Sequence, residues 1–329
     1  MAAKDMTGLI VIGENINTTR RIRATSKNIV KEGDVVGYVY TDGDGTRHLL
    51  DITDIYPTDE TKVKTERIGH IGQGIRKQDL DFFKWAIMSQ VDAGSHIVDL
   101  CGDELSVYPE ERLEYMRWTV KAAQEICGDV AFAIDSSDPE AIKAGLEVYD
   151  RSQTRPAINS VSLEPGRDVL IDLAKEQDCL IFANGSGASG MPQNAEERVE
   201  NLTGCMELMD KAGIPVQDRF LDPLVFPVGA GPDFGKHFLD AVKELRQRYP
   251  DVHIFGGLSN VSFGMPRRKL LNHAFITLAI MHGCDSIMID PLMNAPNDYV
   301  EFKYAADVMT AEDEYGLKFL KYVRAQGKA

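Results

Sequence analysis

Residues 255–268 read FGGLSNVSFGMPRR, and their reading decides the fold. An apolar run at 252–255 precedes them, and a helical pattern at 268–282 follows. A strand-to-helix turn is therefore expected, built from two glycines, two serines and an asparagine. Gly256 and Gly257 carry no side chain, so another group can approach the backbone closely. Ser259 and Asn260 put short polar groups at the strand's carboxyl end. The Asn260 carboxamide both donates and accepts, and it does not titrate. Taken alone, such a turn is an Asx turn with a helix cap. It becomes a site only if other strands end in the same way.

Working outward, they do. Residues 9–12 (LIVI) form an apolar, β-branched run closed by Gly13, with Glu14, Asn15 and Asn17 directly after it. Runs at 96–100, 130–134, 157–160, 179–183, 219–221, 252–255 and 286–289 have the same character, as buried strands do. They end at Asp99, Asp135, Asn159, Asn184, Asp222, Asn260 and Asp290. Helical spacing fills the gaps, at 79–93, 113–127, 140–148, 168–177, 195–212, 238–249 and 268–282, with a closing helical region at 300–324. Eight strands alternating with helices predict an α/β chain, a single (β/α)8 TIM barrel over residues 1–329. In that architecture the carboxyl ends of all strands share one face, so the polar residues converge there. Residues 22–72 break the pattern. Two β-like runs, 35–40 and 48–52, flank Asp-Gly pairs that favour a hairpin. This segment is expected to be an N-terminal β-hairpin insertion after the first strand.

Composition narrows the function. The 329 residues carry 51 acidic against 36 basic side chains, a net charge of −15. That balance excludes a nucleic-acid backbone as the main partner. No window has the ~18 apolar residues of a membrane helix, and the first apolar run is shorter than a signal-peptide core. Five scattered cysteines without CxxC spacing fit reduced thiols in a cytoplasmic protein. The seven histidines show no pair of metal-ligand spacing, so no protein-bound metal is expected.

Two motif matches fail on context. Gly185–Gly190 (GSGASG) fits a dinucleotide fingerprint, but no helix opens within the glycines to receive a pyrophosphate. Residues 251–256 fit a DxHxxG corrinoid pattern. His253, however, starts a strand and points away from the face of strand ends, so it reads as a core or strand-start residue.

Taken together, IGENIN (12–17), IVDL (97–100), AIDSSDPEAIKAGL (133–146), AINSVS (157–162), FLDPLVFPVG (220–229) and GGLSNVSFGMPRR resemble the pterin-binding barrels. The nearest resemblance is to the methyltetrahydrofolate:corrinoid methyltransferases. It covers the chain except residues 22–72, and the motifs keep their order. It implies methyl transfer between tetrahydrofolate and the corrinoid (cobalamin) cobalt of a separate corrinoid protein, in a cytoplasmic homodimer. By motif it implies that Asp135, Asn159 and Asp222 bond the pterin ring, with Asn184 beside them. Asn260 would reach the methyl-bearing nitrogen, Gly257 and Ser259 would line the pocket, and Arg268 would sit on the pterin or tail side. Asn260, Asp135 and Asp222 are the catalytic candidates. Cys101 departs from the pattern and reads as a small buried thiol. A dihydropteroate synthase-like enzyme and a non-catalytic folate-binding module are the alternatives. The first would need a pyrophosphate-binding basic cluster near the last two strands, which end instead in SNVSFG and Asp290-Pro291.

Overall fold

The computed structural model describes residues 8–327. Eight parallel strands make the central sheet: β1 Ile10–Asn17, β2 Ile97–Cys101, β3 Ala131–Asp135, β4 Ala157–Val161, β5 Leu180–Asn184, β6 Arg219–Asp222, β7 His253–Ile254 and β8 Ser286–Ile289. From β1 to β7 each pairs with the next in chain order, and β1 also pairs β8 in parallel. The ring closes between β7 and β8. There Asp285 N donates to Ile254 O at 3.2 Å, Met288 N donates to Gly256 O at 3.1 Å, and Gly257 bridges Met288. The predicted (β/α)8 barrel is the observed fold.

Alternation along the strands sorts the apolar residues into two cores. Ile10, Ile12, Ile97, Ala133, Phe182, Phe220, Phe255 and Met288 fill the barrel interior. The Phe182 ring stands 5.0 Å from Phe220 and 4.9 Å from Phe255. These rings plug the barrel, so a cavity can open only beyond them, at the carboxyl ends. The intervening residues, such as Val11, Val98, Ile134 and Ile181, pack under the helices in a second, larger layer.

The helices begin where local chemistry says they should. Asp79, Asp138 and Asn194 cap three of them by accepting from Phe82 N, Glu140 N and Glu197 N. Gly213 ends Ala195–Ala212 in the left-handed region at φ 71°, where a Cβ is costly. The helix Arg268–His282 has the predicted bounds.

Several expectations need correction. The first strand runs past Gly13 to Asn17, so Glu14 and Asn15 lie inside it. Gly13 is there for packing: a Cβ on it would lie 2.5 Å from Gln90 Oε1, which accepts the Asn15 amide at 2.9 Å. The insertion holds three antiparallel strands, not two, because Ile29–Glu32 pairs Val35–Thr41 beside Arg47–Asp51. A ribbon of Ile22–Arg23 and Arg67–Ile68 ties its ends together. The helices after β2 and β6 each start four residues early, at Pro109–Ile126 and Phe234–Arg248. The closing helical region is two helices, Pro296–Met309 and Leu317–Ala325, broken where Ala311 and Tyr315 take positive φ.

Candidate active site

A cavity of about 580 Å³ opens at the carboxyl ends of the strands. Asp99, Asp135, Asp222 and Met288 reach it from strands, Glu14 and Asn17 from β1, and Gly257, Ser259 and Asn260 from the turn after β7. Arg20, Arg21 and Arg67 stand at one side of its mouth, and Phe263 and Met293 at another. Its size suits a small heterocyclic ligand.

The turn that places Asn260 is a 3-10 helix, Leu258–Ser262. Asn260 N donates to Gly257 O, and Phe263 N donates to Asn260 O, each at 3.0 Å. Arg268 braces the turn from below, donating to Ser259 O at 2.9 Å and Ser262 Oγ at 3.0 Å. A Cβ at Gly257 would lie 3.0 Å from Asn260 Nδ2, so glycine there leaves the carboxamide room. Among the described residues nothing hydrogen-bonds that carboxamide, and Asn260 is exposed to the cavity. Both its donors and its acceptor are available to a ligand.

The carboxyls of the floor are tuned by burial. Asp222 is pushed up to about 7 by desolvation, against the Leu224 amide at 2.8 Å and the charge of Arg198. Asp135 is pushed up to about 6, again by burial first, while hydrogen bonds from Cys101 and Asp99 hold it down. Asp99 is raised well above the carboxylate range by burial and by the charge of Asp135. Asp99 thus keeps its proton and donates it to Asp135, while Asn159 Nδ2 donates to Asp99 Oδ1 at 2.9 Å. Glu14 is raised by burial, against a hydrogen bond from Ser259 and the charge of Arg20. Asp290 goes the other way. Burial would lift it, but Arg20 at 2.6 Å and Asn15 Nδ2 at 3.1 Å overcome that. The cavity therefore presents carboxyls able to change protonation near neutrality, facing an unengaged carboxamide. That set matches a ring bearing alternating N–H donors and acceptors.

Known proteins say which ring. A family described as "pterin binding enzyme" matches residues 71–290. The "Methylcorrinoid:tetrahydrofolate methyltransferase" of Eubacterium limosum is 31% identical over 261 residues, covering 78% of this chain and 92% of that protein. The chain belongs to the pterin-binding enzymes, in the methyltetrahydrofolate:corrinoid methyltransferase family. Two solved structures share its fold at low identity. The Yersinia pestis DHPS bound to a pterine-sulfa conjugate has a TM-score of 0.56 at 18% identity, over 70% of this chain and 90% of that one. The dihydropteroate synthase of Stenotrophomonas maltophilia has a TM-score of 0.55 at 17% identity, over 69% and 89%.

In this pterin-binding enzyme six of the eight residues named from sequence share the cavity wall: Asp135, Asp222, Gly257, Ser259, Asn260 and Arg268. Asn159 and Asn184 do not line it. The Asn159 carboxamide engages Asp99, and Asn184 Nδ2 donates to Ser160 Oγ at 2.7 Å while its oxygen accepts Ser186 N at 2.9 Å. They order the strand ends behind the wall. Arg167 acts beside them, donating to Ser136 O at 3.1 Å, Ser137 O at 2.7 Å and Ser160 O. The arginine rim was not foreseen. Arg20 and Arg21 lie far in sequence from Arg67, and no spacing rule connects them. Cys101 is buried with its thiol pushed well up by desolvation, as a small core residue should be. His253 bonds Asp285 at 2.9 Å and stacks on Phe220 at 4.4 Å, away from the cavity wall.

Proposed function

We propose that the protein moves a methyl group between the cobalt of a methylcorrinoid, borne by a separate corrinoid protein, and a ring nitrogen of tetrahydrofolate. Toward tetrahydrofolate, a carbon–nitrogen bond forms as the cobalt–carbon bond breaks. The electron pair stays on cobalt and the nitrogen gives up its proton. The reverse transfer needs that proton returned, because an unprotonated tertiary amine is a poor leaving group. The observation that carries this reading is the free Asn260 carboxamide above carboxyls poised near neutrality, in a chain related to an enzyme named for that reaction.

The chain's own groups supply binding and charge. Asp135 and Asp222 accept from the N–H groups of the pterin, and Ser259 and Gly257 shape the slot. Asn260 strengthens its hydrogen bond as the reacting nitrogen changes protonation state, which stabilises the transition state over the ground state. Asp222, half ionised near pH 7, exchanges the proton with water in either direction. Glu14 and Ser259 hold the turn against β1, keeping Asn260 in register with the floor. No protein nucleophile is required.

The test is direct. The protein is mixed with 5-methyltetrahydrofolate and a reduced cobalt(I) corrinoid, and the cobalt absorbance is followed. Conversion to the methylated corrinoid at a rate proportional to enzyme is expected. A protein that binds the pterin without changing the cobalt spectrum is a binding module, and the proposal fails.

A further inference from the structure

One side of the cavity mouth is cationic. Arg20, Arg21 and Arg67 stand there, in a chain of net charge −15. Two come from the residues just before the insertion and the third from near its end. They meet because Ile22–Arg23 pairs antiparallel with Arg67–Ile68, which sets Arg23 directly opposite Arg67. Opposite residues on such a ladder project to the same face, and like charges there repel. Arg20 and Arg21 have acid partners, Asp290 at 2.6 Å and Glu104 at 2.7 Å. Among the described residues Arg23 and Arg67 form no ion pair. Arg268, also on the wall, donates to neutral oxygens. The ribbon therefore sets two uncompensated guanidinium groups on one face, Arg67 lining the cavity and Arg23 opposite it across the ladder, an arrangement that an anion would relieve.

We propose that this ribbon, contributed by the insertion, binds the glutamate-tail carboxylates of the folate substrate and makes the protein selective for folates with several glutamates. The inference rests on the reading above. Tetrahydrofolate is a pterin joined through an aminobenzoyl group to glutamate. With the pterin held by Asp135, Asp222 and Asn260, the tail must leave through the mouth. The mouth is apolar at Phe263 and Met293 and cationic at the ribbon. Guanidinium forks match carboxylates bidentately, and each added glutamate brings another carboxylate within reach.

The test uses the full-length protein and three ligands: 5-methyltetrahydrofolate with one glutamate, the same with three, and tail-less 6-methyltetrahydropterin. Dissociation constants are measured by calorimetry at low and high salt. The triglutamate is expected to bind about tenfold more tightly than the monoglutamate at low salt, with the ratio shrinking as salt rises. Arg67→Ala and Arg23→Ala should each cut that ratio about threefold, Arg67→Lys should restore part of it, and Arg67→Glu should erase it. The tail-less pterin should bind all variants alike. A ratio near one in the natural protein, or an unchanged ratio in Arg67→Glu, overturns the proposal. So does a variant with normal folate affinities and a raised KM for the corrinoid protein, which would assign the cations to that partner. Failure of the natural protein to bind even the tail-less pterin would sink the functional reading itself.

Discussion

Replacing Asn260 by alanine separates catalysis from folding. Among the described residues the Asn260 carboxamide has no hydrogen-bond partner, and the residue is exposed to the cavity. Its backbone bonds to Gly257 O and from Phe263 N survive the change. Stability should therefore move by no more than about 0.5 kcal/mol, the range of a surface substitution without a structural role. The kinetic cost is set by a different quantity. A single preorganised donor aimed at developing charge is worth ~2.7–4 kcal/mol, or about 10²–10³ in kcat. Stopped-flow absorbance at the cobalt band measures the transfer step, and thermal unfolding measures the fold. The expected result is a loss of at least about a hundredfold in the single-turnover rate, with pterin affinity falling far less. If Asn260→Ala transfers methyl within about threefold of the natural rate, the carboxamide is not the electrophilic partner and the mechanism must be rebuilt around the carboxyls.

Other outcomes follow from the same geometry. Gly257→Ala meets no backbone barrier, since φ is −70°, but its Cβ would crowd Asn260 Nδ2 at 3.0 Å. Methyl transfer should fall about tenfold with little loss of stability, and a crystal structure should show the carboxamide displaced. Pterin affinity should weaken as pH falls below about 7, since binding uses the ionised Asp222. In Asp222→Asn that limb should vanish from the binding profile, and its persistence would assign it to another group. The same carboxyl has a folded pKa above its ordinary value of 3.8, so its contribution favours the fold in full below about pH 4 and is lost by about pH 7. Asp222→Asn should accordingly raise the melting temperature more at pH 8 than at pH 5. All five cysteines are buried, with Cys101, Cys179, Cys205 and Cys284 pushed up by desolvation. A thiol reagent at pH 8 should label none in the native protein and five after denaturation, and one fast native equivalent would contradict the packing.

The barrel was legible because parallel strands buried on both faces leave short, continuous apolar runs, such as VAFAI and CLIFA, each stopped by a polar residue. The helix starts expected at 140 and 195 lie within a residue of the observed ones because Asp138 and Asn194 cap there. The third strand of the insertion was not legible, since IVKE is four residues long with two exposed. Nothing local announced the break near Ala311 and Tyr315, where non-glycine residues take left-handed angles. In the site, the strand-end carboxyls could be named because topology alone brings them together. The different employment of Asn159 and Asn184 could not, because it depends on which neighbour wins each carboxamide. Arg23 opposite Arg67 is a product of ribbon register, which neither segment reveals by itself.

The seam between β7 and β8 has a meaning beyond topology. Seven of the eight joins in this ring are ladders of paired residues, whereas this one hangs on a two-residue strand and a few isolated bonds. The ring is thus a belt with one weak buckle, and the buckle is the turn that carries Asn260. A ligand touching Gly257 and Ser259 on one side and the β8 end on the other would act as its pin. Hydrogen exchange at the Asp285 and Met288 amides should then slow on pterin binding more than at any other join, so the substrate would finish closing the barrel that receives it.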